Sequence, residues 1–177
     1  MPKLRRFRFF LVLAVSVFAC VGSAQADVRV KEYQTILRSI GFLENKSDER
    51  ANFGVVYNAS DAASVSEMES FVSLISQKSK DFAVVKIDAS NLSSYKGDLD
   101  YVFVSRGVPQ SLYGDVGNYL NTHKTLGFSV DRNCLENKYC TIFVSYVSKV
   151  EIIVNKEFLE YSGHKFKSIF LMMVKVI

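Results

Sequence analysis

The chain has 177 residues, 49 % hydrophobic and 23 % charged, which is enough for one domain with its own core and too apolar for a disordered chain. Lys3, Arg5, Arg6 and Arg8 supply the entire excess of 22 Lys/Arg over 18 Asp/Glu, so residues 27–177 are formally neutral. No Lys/Arg cluster remains to form the basic face of a nucleic-acid binder, and that class of partner is excluded.

Residues 1–26 have the three parts of a secretory signal. Lys3 to Arg8 is basic, Phe9 to Val21 is apolar, and Ala24-Gln25-Ala26 is a small-x-small cleavage site. The apolar run is shorter than the ~20 residues of a membrane span. The expected division is therefore a signal peptide over 1–26 and a single periplasmic domain over 27–177. Val17-Phe18-Ala19-Cys20 loosely resembles a lipoprotein box, which makes lipidation at Cys20 the alternative.

In the mature chain, Val30, Tyr33, Ile36, Leu37 and Ile40 recur at helical spacing and predict a helix over 30–43. A charged connector, ENKSDERAN, leads to a β-forming run, Phe53–Tyr57. Asn58-Ala59-Ser60-Asp61 is turn chemistry, and Ser64 with Glu67 reads as a capping box ahead of the stripe Met68, Phe71, Val72 and Ile75. Further strands are expected at Phe82–Ile87, Leu99–Val104 and Thr125–Val130, with a short helical turn at Leu92 and Tyr95. A helix runs from Pro109 to Asn121, weakened by Gly114 and Gly117. Thr141–Val147 and Lys149–Val154 read as an antiparallel hairpin, and Phe166–Ile177 as an apolar terminal helix. Strands alternating with helices predict an α/β fold: one three-layer domain, Rossmann-like, with a mostly parallel sheet, a C-terminal β-hairpin and the terminal helix.

Three groups of residues are candidates for function. Cys134 and Cys140 are the only cysteines after the signal segment, and in an oxidising compartment they point to a disulfide, structural or redox-sensing. Asn58, Ser60, Ser64, Ser105, Arg106 and Asp131 lie where parallel strands end, the place where such sheets hold ligands, and they form a candidate crevice for a small anion or polar molecule. Phe170, Leu171, Met172 and Met173 belong to a helix apolar on both sides, which is either core or a partner face, for instance of a homodimer. No metal is expected, because His123 and His164 stand at no usual ligand spacing to the cysteines. Both histidines read as solvated. No catalytic motif is present, so neither an enzyme nor a cofactor is expected.

The order Cys134-x5-Cys140, strand Thr141–Val147, then Val150 to Asn155, then Ser162-Gly163 and an apolar terminal segment resembles the YfiR/HmsC-like periplasmic proteins of Gram-negative bacteria. That resemblance implies a compact, often dimeric α/β domain that restrains an inner-membrane diguanylate cyclase by contact, with Cys134 and Cys140 as the stabilising pair. It departs from the family at Ile40-Gly41-Phe42, where Trp-Pro is usual, and in having one cysteine pair. Phe53–Tyr57 with Asn58 and Ser64 also looks like one lobe of an ABC-importer substrate-binding protein. Two functions are carried forward: a periplasmic contact regulator with an inner-membrane signalling partner, and a single-lobe module for a small ligand.

Overall fold

A computed structural model describes residues 27–44, 49–78 and 80–177. The signal-like segment 1–26 and part of the charged connector lie outside them. Helix α1 occupies 27–40 and buries Tyr33, Ile36, Leu37 and Ile40 along one face. It starts earlier than the spacing predicts and ends at Gly41, whose N–H donates to the Arg38 carbonyl at 3.0 Å.

Strand β1 (Ala51–Tyr57) is buried on both faces from Phe53 to Val56, as a central parallel strand must be. Helix α2 (Ala62–Ser76) begins a turn earlier than a capping box at Ser64 would place it. Its N-cap is Asp61, whose Oδ1 accepts from the Ala63 N–H at 3.0 Å. Ser64 and Glu67 are both buried within the helix and serve other elements. After β2 (Phe82–Asp88) comes a 3₁₀ segment, Ala89–Ser94, and then β3 (Tyr101–Val104). Another 3₁₀ turn, Gln110–Leu112, leads into α3 (Tyr113–Thr122) and β4 (Leu126–Ser129). Gly117 has a packing role in α3: a Cβ there would stand 3.1 Å from the Lys138 carbonyl oxygen, so the helix lies close against that loop.

The short helix α4 (Asn133–Glu136) carries Cys134, where a loop was expected. Strands β5 (Ile142–Tyr146) and β6 (Val150–Val154) form the expected antiparallel hairpin. Helix α5 (Lys156–Ser162) was not foreseen, although Asn155 caps its start and left-handed Gly163 ends it. The apolar tail is not one helix. It splits into α6 (Ser168–Met173) and β7 (Lys175–Val176). The Ile177 N–H donates to the Val154 carbonyl at 3.0 Å, so β-branched residues at the chain's end satisfy the free edge of β6 instead of extending a helix.

The seven strands form one sheet in the order β2-β1-β3-β4-β5-β6-β7, with β2 to β5 parallel. This is the expected mixed α/β domain with a mostly parallel sheet. One face is covered by α1, α2 and the C-terminal Phe166 and Phe170, the other by the 3₁₀ segment, α3 and the cystine. The first core centres on aromatic rings. Phe71 stacks on Phe103 with centroids 4.1 Å apart and meets Tyr33 and Phe53 edge-on. Phe170 is 2 % exposed and stacks on Phe166 and Phe42, so it is a core residue and not part of a partner face. Leu171 is half-buried, and Met172 and Met173 are 75 % and 61 % exposed.

Candidate functional site

The strand order reverses between β1 and β3, because α2 carries the chain to one side of β1 and the 3₁₀ crossover returns it to the other. At such a switch point the loops after the two strands diverge and leave room for a ligand. Here those loops are Asn58–Asp61 and Ser105–Val108.

Hydrogen bonds hold the two loops together. Ser64 Oγ lies 2.8 Å from Ser105 Oγ and accepts from the Asn58 N–H at 3.0 Å. Ser105 Oγ also donates to the Val56 carbonyl at 3.1 Å. Asn58 Nδ2 donates to the Gly107 carbonyl, and Asn58 Oδ1 accepts from the Ser60 N–H, each at 3.0 Å. From the end of β2, Asp88 Oδ2 accepts from the Ala59 N–H at 2.9 Å. The Ser90 hydroxyl holds the Asp88 carboxyl below its ordinary range against the opposing effect of burial, and the backbone N–H groups of Ser90 and Ala59 add to it. Gly107 has φ +82°, and a Cβ there would fall 2.1 Å from Asp61 Oδ2, so only glycine brings the loops this close.

Arg106 does not stand free at the strand end. Its guanidinium donates to Glu67 Oε1 at 2.5 Å and to Glu32 Oε2 at 3.1 Å. Its backbone N–H donates to Glu67 Oε2. Glu32 Oε1 accepts from the Tyr146 N–H at 3.1 Å, and Tyr33 Oη donates to Glu67 Oε1 at 3.3 Å. Glu32 and Glu67 are 3 % and 2 % exposed, while the Arg106 side chain is 41 % exposed. One half-open arginine thus ties α1, α2 and the ends of β3 and β5 together through two buried carboxylates. Burial works against the guanidinium charge, but Glu67 and Glu32 outweigh it and hold Arg106 above its ordinary range. Burial, and then the Glu67 charge, push the Tyr33 phenol well above its own range, so it stays a neutral donor. Arg29, one turn before Tyr33, has a buried Nε with no hydrogen-bond partner among the described residues.

The crevice residues expected from sequence therefore divide. Asn58, Ser64, Ser105 and Arg106 come together, and Ser60 joins through Asn58. Asp131 acts locally: its Oδ1 accepts from the Asn133 N–H at 3.0 Å at the start of α4. Glu32, Glu67 and Gly107 were missed. An acid at position 32, between apolar positions of α1, and one at 67, inside the α2 stripe, are the signals that could have found the carboxylates.

Cys134 and Cys140 form a disulfide with Cα atoms 5.3 Å apart, and both residues are 0 % exposed. The bond links α4 to the segment that leads into β5 and is covered on all sides. His123 is exposed and stacks on Tyr119 at 4.3 Å. His164, expected to be solvated, is half-buried: the next residues pair with the segment after α1, where the Glu44 N–H donates to the Lys165 carbonyl at 2.8 Å, and its ring centroid lies 6.3 Å from that of Tyr101. It lines a cavity of about 460 Å³ with Leu159, Phe166, Leu171 and Val176, away from the strand ends. Among the described residues no group of three or more His, Cys, Asp or Glu could hold a metal, and no helix is long and apolar enough to cross a membrane.

No protein-family model and no curated protein matches the chain by sequence. Solved structures do match its fold. A conserved domain protein from Vibrio cholerae O1 biovar El Tor superposes with a TM-score of 0.61 at 13 % identity, over 84 % of this chain and 60 % of that one. An ABC domain in complex with L-Trp from Streptococcus pneumonia gives 0.59 at 12 % identity, over 79 % and 59 %. A substrate binding protein with adhesive properties from Clostridium difficile, in its ligand-free, open form, gives 0.51 at 15 % identity, over 78 % and 58 %. The chain thus spans about three-fifths of the length of the structures it matches. These likenesses show the fold: a mixed α/β domain with a mostly parallel sheet, shared with about three-fifths of each of those structures. Specific kinship with YfiR has no support from these matches.

Proposed function

We propose that this chain is a non-enzymatic recognition lobe that holds a small polar ligand where β1 and β3 end. The observation that carries the reading is the switch point itself, with two loops preset by Asn58, Ser64, Ser105 and Gly107 and with Ser60 and the outer edge of Arg106 left facing solvent. The fold likeness to a domain that binds L-Trp supports it. Arg106 and Arg29 offset Glu32 and Glu67, and Asp61 and Asp88 at the same loops add two negative charges, so the site disfavours an anion and suits a neutral or zwitterionic molecule. Export to the periplasm, with cleavage after Ala26, belongs to the same proposal, and mass spectrometry of the mature N-terminus tests it: Asp27 as first residue is the expected result.

The ligand is tested by thermal shift and calorimetry with the free proteinogenic amino acids, L-Trp included, and with inorganic phosphate as the anionic control. Saturation at a hundred times Kd raises stability by about 2.7 kcal/mol. We expect at least one zwitterion to do this and phosphate not to. Replacing exposed Ser60 by Trp blocks the effect without moving the ligand-free Tm. A folded protein silent to every amino acid overturns the reading.

A second reading is a contact regulator of an inner-membrane signalling protein, with a diguanylate cyclase as the candidate. The exposed Val147, Met172 and Met173 favour it. Crosslinking in intact cells that recovers such a cyclase, and loses it with Met172→Asp and Met173→Asp, supports this reading. Crosslinks to soluble proteins only count against it.

A further inference from the structure

The C-terminal extension carries an exposed apolar patch with charge of one sign around it. In α6, Phe170 turns into the core, whereas Ile169, Met172 and Met173, spaced i, i+3 and i+4, share the outer side and are exposed. Met173 borders a groove of about 370 Å³ together with Val147 and Val150 of the β5–β6 hairpin. Val147, in the hairpin bend, is 87 % exposed. Val150 opens β6 where its edge is uncovered, because β7 pairs with β6 only at Ile153 and Val154. Helix and hairpin thus contribute to one patch.

The charges beside it are cations. Lys149 and Lys175 line the same groove, and Lys167 directly precedes α6. All three are exposed, and none has an ion-pair partner among the described residues. Residues 161–177 hold three lysines and no Asp or Glu, although residues 27–177 as a whole are formally neutral. Glu151 is the one acid that borders the groove, and it shares a face of β6 with Ile153, which packs in the core on the side of the sheet away from α6.

We propose that this patch is a membrane-contact surface for an anionic bilayer. Val147, Ile169, Met172 and Met173 enter the boundary between headgroups and acyl chains, and Lys149, Lys167 and Lys175 reach lipid phosphates. The charge pattern selects a bilayer over a protein partner. Unpaired lysines beside an apolar patch match an anionic surface in any rotation, whereas a protein would need acids placed at three fixed points. Methionines adapt to a fluid phase, and lysine stems lie along apolar surface while their charges stay among headgroups. The insertion is shallow. No helix among the described residues is long and apolar enough to span a membrane, and the open backbone edge at Val150 must stay where water reaches it.

The chain has no Trp, so a single introduced Trp reports its own surroundings. The exported chain, starting at Asp27, is mixed with vesicles of phosphatidylcholine with or without phosphatidylglycerol. We expect it to co-sediment with the anionic vesicles, and at least about tenfold more weakly with the neutral ones at roughly 0.1 M salt. Met172→Trp should shift its emission to the blue on anionic vesicles. Asn121→Trp, exposed near the end of α3 on the other face of the sheet, should not. Lys167→Gln combined with Lys175→Gln should weaken binding roughly 25-fold, about fivefold for each lysine. Circular dichroism checks the fold of each variant. A protein that stays off every vesicle, binds neutral and anionic ones alike, or keeps full affinity without both lysines overturns the proposal, and the first outcome assigns the patch to a protein partner. The vesicles hold no protein and the assay no amino acid, so the result stands apart from ligand binding at Ser60 and from contact with a signalling protein.

Discussion

The parallel half of the sheet and its C-terminal extension are built on different terms. In the first, Phe53, Phe71, Phe103 and Phe128 are fully buried between α1, α2 and the sheet, and its buried charges, Glu32 and Glu67, meet a common arginine. In the second, α6 and β7 leave Ile169, Met172, Met173, Val176 and Ile177 between 43 % and 75 % exposed. Apolar burial is complete where strands are covered on both faces and partial where a two-residue strand ends the sheet. The first half is a rigid scaffold for its strand-end loops. The second presents apolar surface that no described residue covers.

Single substitutions sharpen this contrast. Phe71→Ala removes the ring at the centre of the aromatic cluster and is expected to lower stability by about 3–5 kcal/mol in chemical denaturation. Met172→Ala, on the exposed side of α6, should stay within about 0.5 kcal/mol. Equal losses at the two sites would mean that the extension is as well packed as the core.

Arg106→Met strands two buried carboxylates. Its cost is expected to be about 3 kcal/mol, at the low end for a broken buried pair because the guanidinium is half-open and water reaches the vacated site. It should fall to well under half of that in the triple variant that also carries Glu32→Gln and Glu67→Gln. This makes Arg106→Ala a poor probe of ligand binding, since it loosens the scaffold, and Ser60 the better one. Reducing the disulfide, or Cys134→Ser with Cys140→Ser, removes a short loop constraint worth roughly 2 kcal/mol. Equilibrium unfolding with and without reductant measures it. A smaller value would mean that the buried contacts of α4 hold the loop without the bond.

The smallest effect is a pH dependence in the extension. Burial lowers the His164 pKa from its ordinary value, partly offset by the Ser162 carbonyl and Asp100. The folded state therefore binds this proton less readily than the unfolded chain. Stability from this group is complete above the ordinary histidine range and declines as pH falls through it. His164→Gln should flatten the Tm profile between about pH 7.5 and pH 5. An unchanged profile would place the acid sensitivity in other groups.

Much of the parallel half was legible from residue order. Its strands are short runs of Val, Phe, Tyr and Ile, and its helices carry apolar stripes, so period and type agree. The strand-end loops were legible as a place but not as a network. Arg106 read only as a crevice residue, because nothing local reveals that Glu32, 74 positions earlier, reaches it. Ser64 and Glu67 have the spacing of a capping box, but their side chains are recruited across the fold to Ser105 and Arg106, and Asp61 caps the helix instead. The terminal segment was misread for a related reason. Its residues suit a helix or a strand, and the open edge of β6 decided between them.

Local chemistry alone thus determined the α/β class, the parallel alternation, the terminal hairpin and the pairing of Cys134 with Cys140. Each rests on neighbours within a few residues, where periodicity, turn residues and a six-residue spacing act. Only the tertiary structure decided the strand order that creates the switch point, the partners of Arg106, the covering of His164 and the uncovered edge at Val150. Those depend on contacts between residues far apart in the chain, whose energies arise only once the sheet has brought them together.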